Sequence, residues 1–116
     1  MELNLIVLRS PDPEKLAKFY ETLLDRPLPK HRHGKGPEHF GTQLGKVVFE
    51  IYPQRDENDA TACLRFGLAV ADVDQVFSVV EASGGKIVSP PKKSEWGRRM
   101  VIDDPDGHRI EITAAS

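Results

Sequence analysis

Phe49-Glu50-Ile51 and Ile110-Glu111-Ile112 carry the same apolar-Glu-apolar triplet, once near the middle of the chain and once near its end. Working back from them, the sequence lays onto itself at an offset of 60. Leu8 falls on Leu68, Asp12 on Asp72, Glu14 on Asp74, Leu16 on Val76, Phe19 on Val79, Tyr20 on Val80 and Glu21 on Glu81, with one residue of drift before the triplets. The register preserves strand parity, a helix start and helical apolar spacing together, so it marks a duplication and not a chance match of residue types.

Each half then reads locally. Leu3–Arg9 and Leu64–Val70 are rich in Leu, Ile and Val and open their halves as strands. Asp12 ahead of Pro13 supplies a side-chain acceptor and a proline at the first helical position, and Asp72 repeats the cap. Leu16, Phe19, Tyr20, Leu23 and Leu24 form one helical stripe; Val73, Val76, Phe77 and Val80 form another, stopped by Gly84-Gly85. Three short strands follow each helix: Leu28–His33, Phe40–Leu44 and Lys46–Tyr52, then Lys86–Ser89, Arg98–Ile102 and Arg109–Thr113. Pro90-Pro91 and Asp104-Pro105-Asp106-Gly107 read as breaks between the later strands. The expected organisation is a single domain over 1–116 made of two tandem βαβββ modules, about 1–53 and 63–116, joined by a polar linker at about 54–62.

Composition narrows the function. A chain of 116 residues with 39% hydrophobic content has the size of one self-sufficient core. Sixteen Lys+Arg against eighteen Asp+Glu give a net charge of -2, which argues against nucleic acid or an anionic membrane as partner. The early apolar run Leu5–Leu8 is far below the roughly 20 residues of a spanning helix, so neither a signal peptide nor a membrane anchor is expected. Cys63 is the only cysteine, which excludes an internal disulfide and a thiolate zinc cage and suits a cytoplasmic protein. No phosphate-binding loop, dinucleotide fingerprint or nucleophile elbow is present.

The Phe19-Tyr20 helix, with Asp104-Pro105-Asp106-Gly107-His108-Arg109-Ile110-Glu111-Ile112 closing a duplicated βαβββ unit, resembles the vicinal oxygen chelate superfamily of glyoxalase I, bleomycin-resistance proteins and extradiol dioxygenases. The resemblance implies an α+β fold in which a mixed, curled sheet has helices on its outer face and a cavity on its inner face. It also implies metal positions on the first and last strand of each half, here Leu5, Glu50, Arg65 and Glu111. Leu5 has no donor atom and Arg65 no free lone pair, so half of that set is absent. The expectation is a protein that binds a small molecule without a cofactor. The alternative is a lyase, isomerase or dioxygenase holding Zn, Ni, Fe or Mn through Glu50 and Glu111.

Strand parity gives the same face without the resemblance. If Ile6, Leu8, Phe49, Ile51, Phe66, Leu68, Ile110 and Ile112 pack under the helices, then Leu5, Val7, Val48, Glu50, Arg65, Gly67, Arg109 and Glu111 face the other way. On that face Glu50 and Glu111 are candidates for metal ligation or general acid–base catalysis, or else for ion pairs with Arg65 and Arg109. Arg65, Trp96, Arg99 and Arg109 are candidate ligand-binding residues, an aromatic beside arginines being suited to a planar or anionic ligand. In a strand, His31 and His33 would stand on one face about 7 Å apart. With His39 they either join Glu50 as ligands or are structural and solvated. His108 is expected at the surface of its turn, and Cys63 as a small buried hydrophobe. Open sheet edges and exposed apolar surface point to a homodimer.

Overall fold

The computed structural model describes residues 1–115; Ser116, the end of the expected second module, lies outside the described residues. The first module contains β1 (Leu5–Ser10), α1 (Pro13–Leu24), β2 (Lys30–His31), β3 (His39–Leu44) and β4 (Val47–Pro53). The second contains β5 (Arg65–Ala69), α2 (Val73–Ala82), β6 (Lys86–Ser94), β7 (Gly97–Asp103) and β8 (Arg109–Ala114). Each builds its own mixed four-stranded sheet, in the orders β1-β4-β3-β2 and β5-β8-β7-β6. The opening strand pairs in parallel with the last one, Val7 opposite Glu50 and Gly67 opposite Glu111.

The helices begin where the side chains cap them. Asp12 accepts from the Lys15 N–H with Pro13 in the first turn, and Asp72 accepts from the Gln75 N–H at the same 3.2 Å. The first helix ends on Asp25, left-handed at φ 51°. In the first module Leu8, Leu16, Tyr20, Phe49 and Ile51 are buried between helix and sheet, with the Tyr20 and Phe49 rings 4.9 Å apart. In the second, Val73, Val80, Met100, Ile102, Ile110 and Ile112 do the same. Every carboxylate of the two triplets is thereby turned to the face away from its helix.

Three local readings change. The β6 strand continues through Pro90-Pro91 instead of ending at Ser89, because it is an edge strand whose register shifts between Ile87 and Ser89 and between Ser89 and Lys92 release those positions from the ladder. His108 is buried and not a surface turn residue: Asp104 takes the N–H groups of Asp106, Gly107 and His108 on Oδ1 at 3.0 Å, and the His108 ring supplies the further donor, Nδ1 lying 2.8 Å from Oδ2. A carboxylate sequestered from water needs such donors, and the turn pulls the imidazole in to provide one. Cys63 is exposed and not buried, since it precedes β5 outside the ladder. The polar stretch after β4 belongs to the first compact unit, Met1–Ala62. There Glu57–Asp59 forms a single 3-10 turn capped by Asp56, and the Thr61 hydroxyl accepts from the Arg9 N–H at 2.9 Å.

Candidate functional site

On the open face of the second module, Glu111 is held between two guanidinium groups. Arg65 Nε donates to Oε2 at 2.8 Å, while Arg99 donates to Oε1 from Nε at 2.9 Å and from its terminal nitrogen as well. The register explains the trio. Glu111 stands opposite Gly67 on β5 and Val101 on β7, so the residues two positions along each strand, Arg65 and Arg99, reach it diagonally from both sides. Gly67 contributes no side chain between them. Donation from Arg65 and then Arg99 holds the Glu111 carboxyl down at about 2, against a smaller opposing effect of burial. A carboxylate held that low is ionised throughout the physiological range.

Arg109 does not join this cluster. It faces Asp103 directly across the β7–β8 pair and donates to it from Nε at 3.0 Å, lowering the Asp103 pKa. The expected Arg109 partnership with a glutamate is corrected by register: Asp103 stands directly opposite Arg109 and takes its guanidinium. Trp96 sits in the two-residue link between β6 and β7 and is 68% exposed.

The first module places different chemistry at the matching position. Glu50 stands opposite Gly41 on β3, and among the described residues no Lys or Arg pairs with it. Its neighbour is His39, whose Nε2 lies 3.5 Å from Glu50 Oε2. His39 is 1% exposed and its ring stacks on Tyr52 with centroids 4.2 Å apart and planes 6° from parallel. The rings of His33 and His31 come within 5.0 and 5.9 Å of it. His31 and His33 are themselves exposed. Sequence reasoning left His39 open; the signal that would have found it is parity across the turn, His39 and Gly41 sharing a face with Glu50 once β3 and β4 are paired.

The four positions at which the superfamily resemblance implies a divalent metal do not fit one. Leu5 has no donor, Arg65 no lone pair, and both oxygens of Glu111 already accept from guanidinium groups. Among the described residues no three His, Cys, Asp or Glu side chains form a ready ligand group. A groove lined by Asp72, Asp74, Lys93 and Arg98 opens at the start of α2, on the helix side of the sheet, apart from Glu111.

The model of the Glyoxalase/Bleomycin resistance protein/Dioxygenase superfamily matches residues 2–112. The chain belongs to this superfamily. An uncharacterised protein of Mycolicibacterium smegmatis is 30% identical across 94% of the chain and 90% of its own length. A probable chloroplastic lactoylglutathione lyase of Arabidopsis thaliana is 29% identical across 92% of the chain, which spans only 34% of that protein. Among solved structures, TnmS3, an antibiotic-binding protein from Streptomyces sp. CB03234, superposes with a TM-score of 0.80 at 22% identity, covering 100% of this chain and 97% of its own. At that identity the likeness establishes the superfamily fold, two tandem modules of α+β type, and nothing of the ligand. No helix is long and apolar enough to cross a membrane among the described residues.

Proposed function

We propose that this superfamily member is a small-molecule-binding protein that performs no metal-dependent chemistry at Glu111 and recognises a planar or anionic ligand through the arginines of its second module. The observation that carries the reading is the double guanidinium clamp on Glu111. A glutamate so held is a positioning group: it fixes Arg99 and Arg65, whose two positive charges exceed its single negative one. Arg65 then supplies part of the charge that a metal supplies elsewhere in the superfamily. Trp96, Arg99 and Arg109 complete the expected ligand-binding set, and antibiotic binding by TnmS3 agrees in kind with such a role.

The second reading, a divalent-metal lyase, isomerase or dioxygenase that uses Glu50 and Glu111, draws support from the relative in Arabidopsis. A thermal-shift screen of aromatic carboxylates and related anions, followed by titration of the hits into wild type and Arg99→Ala, separates the two. The binding reading expects at least tenfold weaker affinity in Arg99→Ala and unchanged binding in chelator. Hits indifferent to Arg99, or a metal-dependent turnover abolished by Glu111→Gln, would overturn it. We further infer a cytoplasmic homodimer, supported by an exposed free cysteine and by exposed Leu3, Leu5, Val88 and Trp96. Light scattering that finds a concentration-independent monomer would count against the dimer.

A further inference from the structure

We propose that the open face of the second module binds a ligand with two separated carboxylates, one taken by Arg65 and the other by Arg99 together with Lys92. This rests on the reading of that module as an anion binder and deepens it, adding Lys92 as a specificity-determining residue.

Register places Lys92 on this face. It stands directly opposite Arg99 in the β6–β7 pair, and directly opposed residues project to the same side of a sheet. Its neighbour Lys93 stands opposite Arg98 and lines the groove at the start of α2, so the alternation of the strand sends Lys92 to the side of Glu111. Lys92 is exposed, and among the described residues no carboxylate pairs with it. Arg65, Arg99 and Lys92 thus share the single carboxylate of Glu111, and the surplus positive charge matches a dianion.

The donors that remain say what kind of dianion fits. Arg65 spends only Nε on Glu111, and among the described residues its terminal nitrogens, an end-on fork matched to a carboxylate, make no hydrogen bond. Arg99 spends Nε and one terminal nitrogen, which leaves the other for a ligand. Glu111 lies between the two anchoring points, since the arginines grip different oxygens of it. A compact dianion centred on the cluster would meet that carboxylate and be repelled, whereas one with its charges at two ends and a neutral middle escapes it. The lengths agree. In the order β5-β8-β7-β6 the outer strands are three strand spacings apart, about 14 Å, a gap that a flat aromatic dicarboxylate closes with an arginine reaching in from one side and a lysine from the other. The middle of such a ligand has room over Gly67, where an added Cβ would meet only the Glu111 carbonyl oxygen, at 3.6 Å.

The test is calorimetric titration of terephthalate, benzoate and inorganic phosphate into untagged, full-length protein and into its Lys92→Ala and Lys92→Arg variants. Lys92 is exposed on an edge strand, so neither variant endangers folding. Terephthalate should bind wild type about tenfold more tightly than benzoate or phosphate, as a second charge-assisted contact predicts. Lys92→Ala should remove most of that preference with benzoate affinity little changed, and Lys92→Arg should keep it. Equal binding of terephthalate and benzoate would overturn the dicarboxylate site and leave the anion-binding reading standing; failure of all three anions to bind wild type would overturn both. Phosphate bound as tightly as terephthalate would also overturn the site, as would a preference for terephthalate that persists in Lys92→Ala.

Discussion

Glu50 and Glu111 occupy matching positions of a duplicated module, opposite Val7 and Gly67 on parallel opening strands, yet they live in opposite electrostatic settings. Glu111 is saturated by Arg65 and Arg99, whereas Glu50 faces the buried nitrogen of His39. The helix-facing layers of the two modules stayed alike while the open faces diverged. Packing constrains the first layer through volume and shape, and only a ligand constrains the second.

The shared layer gives the largest expected effect. Phe49→Ala removes a fully buried ring that packs on Tyr20 and should cost about 3–5 kcal/mol, with Ile110→Ala at the matching position costing about 2–5 kcal/mol. Urea denaturation of both variants checks this; a negligible cost in one module alone would break the equivalence of the two cores.

Arg99→Ala probes the divergent layer. Its side chain is 19% exposed and that of Glu111 32%, placing the pair between surface and buried cases, so a loss of about 1–2 kcal/mol is expected by the same measurement. Arg65→Ala should cost less, about 0–1 kcal/mol, since Arg65 is more exposed.

Acid titration sharpens the same contrast. The folded pKa of Glu111 is depressed, so its contribution to stability is fully present above the unfolded value near 4.5 and is lost as pH falls toward about 2. The melting temperature of wild type should therefore approach that of Glu111→Gln across this window. A constant gap between the two would show that the clamp does not exist in solution.

The smallest effect comes from transplanting the clamp. Leu5 is exposed and matches Arg65 in register, so Leu5→Arg should change stability by no more than about 0.5 kcal/mol. It should nevertheless put a guanidinium within hydrogen-bonding reach of the Glu50 carboxylate, and NMR that finds the new side chain without a carboxylate partner would show that His39 already holds that carboxylate.

Much of this was legible in the sequence because it follows from period and capping. The duplicated triplets, Asp12 and Asp72 as caps, and the parity that turns both glutamates away from the helices are one-dimensional signals. Arg65 within reach of Glu111 also followed from parity. Pairing register was not legible, and register decided the remaining partners: Arg99 reaches Glu111 diagonally from β7, while Arg109 is captured by Asp103 directly opposite. His39 and His108 were misjudged or left open for a related reason, since a histidine's burial depends on the acceptor that meets it in space, the Pro37 carbonyl in one case and Asp104 in the other.

The irregular β6 edge has a consequence for self-association. A strand from another molecule, seeking to extend the second sheet at β6, would find no N–H at Pro90 or Pro91 and two ammonium groups at Lys92 and Lys93. Runaway edge-to-edge stacking is blocked there by composition alone, so the protein can keep apolar residues such as Val88 exposed beside that edge without the sheet growing into a fibre.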